Sequence, residues 1–270
     1  MRGVALRFTG LSIGLLVSIG LTAHSAVAEI QTEPDVAEPG SIEAIANATS
    51  DPRFVSPWVA YVPDADGIPS PTDYRGRIIG APGELTRTSE AYGYLEALAE
   101  ASPRVHLEEI GTTEEGRPIL LVAVADESGI RDLPQLQAAT AALADPRRTS
   151  PEAAEQIISA ARPFYYINAG LHADETSNAE SVLELVYRLA VSEKPMIRQI
   201  RERLVVLVNP VANPDGRDKM VDWFYRYLKG RTDYDALPRQ SPPYWGRYVF
   251  VDANRDAHQQ TQALTRAVYK

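Results

Sequence analysis

The 270-residue sequence contains no cysteine, which removes disulfides, thiolate metal ligation and a cysteine nucleophile together. A metal site would have to be built from imidazole and carboxylate, and only four histidines are available for it. Positive charge is also scarce. The 27 Lys and Arg against 36 Asp and Glu give a formal charge of −9, which argues against a phosphate-backbone ligand. A long apolar run occurs only at the start, where Arg2 and Arg7 precede the uncharged stretch Leu11–Leu21 and Ala26-Val27-Ala28 has the form of a leader cleavage site. The expectation is a signal peptide over residues 1–28 and a secreted or periplasmic product with no stable membrane span after leader removal. Without Arg2 and Arg7 its formal charge moves from −9 to −11.

What is present is an ordinary globular composition, 44% hydrophobic and 23% charged. Its focus is Phe164–Glu184, FYYINAGLHADETSNAESVLE. Phe164–Ile167 are aromatic or β-branched and favour a strand, Asn168-Ala169-Gly170 breaks it, and Val182, Leu185, Val186 and Leu189 then set a helical period. His172 and Glu175 therefore fall at a strand-to-helix junction. Strand ends in α/β sheets are where ligand sites form, and an imidazole and a carboxylate three residues apart can reach one zinc ion at about 2 Å. Alone, HxxE is a weak pattern that a surface loop also produces.

Residues 29–83 are rich in Pro, Gly, Asp and Ser and read as an extended N-terminal arm with short elements, most of it on the surface. Residues 86–101 read as a helix with Tyr92, Leu95 and Leu98 on one face, and 105–110 and 119–124 as two strands joined by a turn at Glu115-Gly116. His106, in the first strand, has no acidic partner at useful spacing and is not a site candidate. Two helices separated by Asp145-Pro146 are expected between 129 and 162, the second capped by Ser150 with Pro151 at its first position. Residues 195–203 read as a short charged helix and 204–208 as an apolar strand, so strand, helix and strand imply a parallel crossover in a sheet covered on both faces. Asn213-Pro214-Asp215-Gly216 reads as a turn and 220–248 as an irregular aromatic and basic segment. Residues 248–252 read as a strand delivering Ala253-Asn254-Arg255-Asp256, and 257–270 as a helix still running at Lys270.

The pieces EEIGTTEEGRPI, GLHADE, NPDG and VDANRD, in that order, resemble the zinc carboxypeptidase family (M14 metallopeptidases) over about Leu95 to Lys270. The resemblance implies an α/β fold with a mixed, largely parallel sheet sandwiched between helices, residues 84–270 forming part of its catalytic domain. It also implies Zn2+ as cofactor and hydrolysis of C-terminal peptide bonds in a peptide or cell-wall peptide with a free carboxylate. Residue by residue, it implies His172 and Glu175 as two zinc ligands and Asn254 and Arg255 as the pair holding that carboxylate, a role for which an Arg fork beside an amide is chemically apt. Arg247 is the nearest match to an oxyanion-facing Arg.

The sequence departs from the family pattern in three places. Asp174 stands where an Arg usually precedes the ligand Glu, which points to cationic or otherwise unusual substrates. The third zinc ligand, a His, and the general-base Glu lie in the family beyond the NR pair, whereas this sequence ends at Lys270, sixteen residues after Asn254. The residue that sets side-chain preference belongs to the same part. His258, three residues after the NR pair's Arg255, reads as a helix-surface residue and not as the third ligand. The expectation is an incomplete, poorly active fragment without the last strands of its sheet. Two other readings stay open: a zinc amidohydrolase or deacylase of the same fold, acting on N-acyl amino acids, and a non-catalytic exported module that binds peptides without metal.

Overall fold

Gly116, at φ +81°, turns the chain between β1 (Val105–Thr112) and β2 (Pro118–Val124), a backbone conformation glycine adopts without a Cβ clash. The two strands pair antiparallel from Val105 opposite Val124 to Thr112 opposite Pro118, with an irregularity between Glu109 and Gly111. The computed structural model describes residues 31–233, 235, 237, 245–249 and 251–270, so the expected signal peptide lies outside the described residues.

Two further strands, β3 (Phe164–Asn168) and β4 (Val205–Asn209), complete a sheet in the order β1-β2-β4-β3. β2 and β4 run antiparallel, while β3 and β4 run parallel from Phe164 opposite Val205 to Asn168 opposite Asn209. The sheet is therefore mixed, as expected of an α/β fold, but two of its three pairings are antiparallel, so among the described residues it is not the largely parallel sheet that was expected. Among the described residues β3 is an edge strand. Its Tyr165 and Tyr166 are 60% and 43% exposed.

The helices in chain order are α1 (Ser41–Ala48), α2 (Pro71–Arg75), α3 (Thr88–Ala101), α4 (Glu127–Arg131), α5 (Leu133–Ala144), α6 (Pro151–Ala160), α7 (Thr176–Val191), α8 (Pro195–Arg203), α9 (Pro214–Tyr227) and α10 (Ala263–Val268). None of them is long and apolar enough to cross a membrane. The apolar stripes of α3 (Tyr92, Leu95, Leu98) and α7 (Val182, Leu183, Val186) pack with Val122, Val124, Val206 and Val208 of the sheet. Burying each such Val or Leu contributes about 1.5–3 kcal/mol. Residues 31–83 take part in the core: Tyr61 and Val62 are buried, and Tyr61 donates to Asp35 Oδ2 at 2.9 Å. Asp35 also accepts from Ser192 Oγ at 2.7 Å and the Glu193 N–H at 2.6 Å, which ties this stretch to the end of α7.

α5 and α6 fall where expected, with the Ser150 side chain accepting the Ala153 N–H and Pro151 in the first turn. Three expectations fail. Asn213-Pro214-Asp215-Gly216 is a helix start and not a turn: the Asn213 side chain accepts the Gly216 N–H at 3.0 Å, Pro214 needs no partner for a missing N–H, and Asp215 stands in the positive end of the dipole. α9 consequently occupies much of the segment expected to be irregular. Tyr248, Val249, Val251 and Asp252 lie in bends and irregular chain instead of a strand. The last helix begins six residues later than expected, because the Asp256 carboxylate accepts the N–H groups of Thr261 and Gln262, at 3.1 and 2.9 Å, and folds 257–262 back on itself.

Candidate functional site

The loops that leave β3 and β4 are stitched together. Ala212 N–H donates to the Ala169 carbonyl at 2.8 Å, Asn213 N–H to Gly170 at 3.2 Å, and Asn213 Nδ2 to Leu171 at 3.3 Å. Gly170, at φ +66°, turns the chain within this seam. His172 is thereby delivered at the carboxyl end of a parallel strand, where crevices form.

The His172 ring meets a carboxylate at each nitrogen. Nδ1 is 3.1 Å from Glu175 Oε1, and Nε2 is 3.3 Å from Asp252 Oδ1. Trp245 stands edge-on to the ring with centroids 5.7 Å apart. Asp252 reaches further, accepting the Asn254 N–H at 2.8 Å and lying 3.9 Å from Arg255 Nη1. The side chain of His172 is 14% exposed, against 53% for Glu175 and 71% for Arg255. Burial pulls the imidazole pKa down, but hydrogen bonds donated by the ring to Glu175 and Asp252, and the charges of those acids, outweigh it and hold the ring above its ordinary value.

Two donors about 2.1 Å from one tetrahedral ion stand about 3.4 Å apart. The 3.1 Å between Nδ1 and Oε1 is close to that span, and Asp252 on Nε2 would fix the tautomer that leaves Nδ1 as a donor. His172 and Glu175 thus fit as part of a zinc donor set. Among the described residues no group of three His, Cys, Asp or Glu forms a complete one.

Asn254 and Arg255 lie in a 3-10 turn, Ala253–Arg255, which Asp252 caps, so they share a carboxylate with His172. Arg247 is exposed; its N–H donates to Glu115 Oε1, and its guanidinium lies 5.9 Å from the Tyr248 ring centroid. Asp174 and His258 are exposed. His106 lines a groove of about 700 Å³ between the sheet and α5.

Sequence reasoning missed Asp252 and Trp245. A signal for Asp252 existed, since a ligating imidazole commonly gives its second nitrogen to a carboxylate and Asp252 stands two residues before Asn254. It missed as well the part played by NPDG. Asp215 is buried and accepts from Thr113 Oγ1 at 2.8 Å, Arg117 Nη1 at 2.7 Å and the Glu115 N–H at 3.2 Å, so α9 holds the tip of the β1–β2 hairpin.

The family model described as Zinc carboxypeptidase matches residues 91–265. Zinc carboxypeptidase A 1 of Drosophila melanogaster is 28% identical over 148 residues, which are 54% of this chain and 28% of that protein. A metallo-carboxypeptidase structure from Burkholderia cenocepacia is similar at 19% identity and TM-score 0.41, over 68% of this chain and 37% of that one. Carboxypeptidase A from Helicoverpa armigera is similar at 16% identity and TM-score 0.40, over 69% and 42%. The chain therefore spans less than half the length of each of these relatives.

Proposed function

Since the chain belongs to the zinc carboxypeptidase family, we propose that it supplies part of the site of a secreted, zinc-dependent metallocarboxypeptidase that hydrolyses C-terminal peptide bonds. The observation that carries this reading is the His172 ring held between Glu175 and Asp252, which joins the ligand pair to the segment bearing Asn254 and Arg255. His172 and Glu175 would hold Zn2+, which when bound supplies a Lewis acid for the scissile carbonyl and for water.

The chain's own residues orient the ligand and hold the substrate. Asp252 accepts from Nε2 and keeps Nδ1 facing Glu175. The Arg255 guanidinium, 3.9 Å from Asp252, is too far for a hydrogen bond, so its fork stays available to a substrate carboxylate, with the Asn254 amide beside it. Arg247 would face the oxyanion and Asp174 would favour cationic substrates. Two protein donors are too few for catalytic zinc, so full activity requires a further ligand and a general base. The substrate is a peptide or cell-wall peptide with a free C-terminal carboxylate.

The test is zinc titration of the full chain by dialysis and metal analysis, together with binding of one peptide in free-acid and C-terminally amidated forms. Zinc binding is expected to fall in His172→Ala and Glu175→Gln, and preference for the free acid to vanish in Arg255→Ala. Unchanged zinc affinity in both ligand variants overturns the metal assignment. Free-acid binding without zinc would favour the binding-module reading, and turnover of N-acyl amino acids but not peptides the deacylase reading.

A further inference from the structure

Three segments far apart in sequence meet beside His172. The hairpin tip carries Thr113, Glu115 and Arg117, the first turn of α9 carries Asp215, and Trp245-Gly246-Arg247 arrives later. Asp215 fixes the tip through Thr113, Arg117 and the Glu115 N–H. The Glu115 carboxylate, bridged to Arg117 Nη1 at 2.9 Å, then accepts the Arg247 N–H. Gly246 is buried between the two acids: a Cβ there would lie 2.5 Å from Asp215 Cβ and 2.9 Å from Glu115 Oε1, so no larger side chain enters without displacing them. One residue earlier, Trp245 packs against the cluster of Ile119, Ala253 and Leu264 and stands edge-on to His172.

We propose that Glu115 is a positioning residue for the His172 site, acting through the Gly246-Arg247 main chain to seat Trp245 against the imidazole. The purpose of that seat rests on His172 being a metal ligand; its geometry does not. The hydrogen bond to the Arg247 N–H and the steric fit at Gly246 fix two successive residues, which leaves the indole little freedom one residue away. Trp245 then walls one side of the ring from water, where nearby charges act more strongly. Glu115 itself is spent on Arg117 and the main chain and takes no part in chemistry.

With Trp58 and Trp223 replaced by Phe in the full chain, Trp245 is the sole tryptophan and its emission reads the contact. In this background His172→Ala is expected to change the emission. Glu115→Ala should red-shift it and abolish the response to His172→Ala, whereas Glu115→Gln, whose amide oxygen still accepts the Arg247 N–H, should keep the response. Gly246→Ala should abolish it by bulk alone, with far-UV circular dichroism reporting that the helices and sheet persist. If Glu115→Ala unfolds by that measure, Glu115→Gln and Gly246→Ala decide between them. A response to His172→Ala that survives Gly246→Ala, or that is lost in Glu115→Gln, overturns the proposal. Zinc titration of the same proteins is scored separately, so loss of the metal reading leaves the Trp245 coupling standing and the reverse also holds.

Discussion

Glu175 and Glu180 stand five residues apart at the start of α7, and the helix turns them to different sides, since five residues rotate the chain by about 140° relative to one another. Glu180 faces inward, its side chain 8% exposed. It accepts the Thr86 N–H and Oγ1, each at 2.5 Å, pairs with Arg217, and lies 3.6 Å from Arg75 Nη1. Arg217 donates on to the Thr86 and Thr176 carbonyls at 2.9 and 3.0 Å. Burial, the largest influence on both guanidiniums, holds them below their usual range. Glu175 faces the site at 53% exposure, with His172 on one oxygen and Asn178 at 3.4 Å on the other. A closed ion cluster serves structure; an open one leaves lone pairs for a ligand.

The sharpest way to break this contrast is Glu180→Ala, which strands two buried guanidiniums. It should cost about 3–5 kcal/mol in urea melts, and a loss below about 1 kcal/mol would erase the distinction. Asp252→Asn should lower zinc affinity by about 10–100-fold, read by competition with a chelating dye, while the melt hardly moves. Glu175→Gln should change stability by no more than about 0.5 kcal/mol, because its carboxylate is half open to water.

A different kind of effect is one of pH. Asp256 is driven down to about 2: burial raises it, but hydrogen bonds from Thr261 and Gln262 prevail. A folded pKa below the unfolded value of about 3.9 means that the folded state binds fewer protons between the two. This contribution is present in full above about pH 4 and fades as pH falls towards 2. Melts at stepwise lower pH should show a slope that Asp256→Asn removes.

What could be read from the sequence was local. Ser150 with Pro151 announces α6 within four residues, and the hairpin of β1 and β2 is written in two apolar runs about Gly116. The spacing of His172 and Glu175 is local too. What could not be read depended on distance or on competition. Asn213 caps a helix with the same side-chain oxygen that would serve a turn, and Asp256 takes the two N–H groups that an earlier helix start would have used. Tyr248–Asp252 has a strand's composition, but sheet membership is decided by neighbours. Asp252 meets His172 across 80 residues and Glu115 meets Arg247 across 132, separations at which no spacing rule operates.

The separation between His172 and Asp252 also orders events in time. Glu175 leaves the ribosome within a second of His172, but Asp252 follows 80 residues later, about 4–16 s at ordinary elongation rates. During that interval the imidazole already has the carboxylate that shares its Nδ1 side and lacks the one that fixes its tautomer. The ring is thus paired first and aimed second, and a nascent chain carries an unaimed histidine until the segment bearing Asp252 has been made.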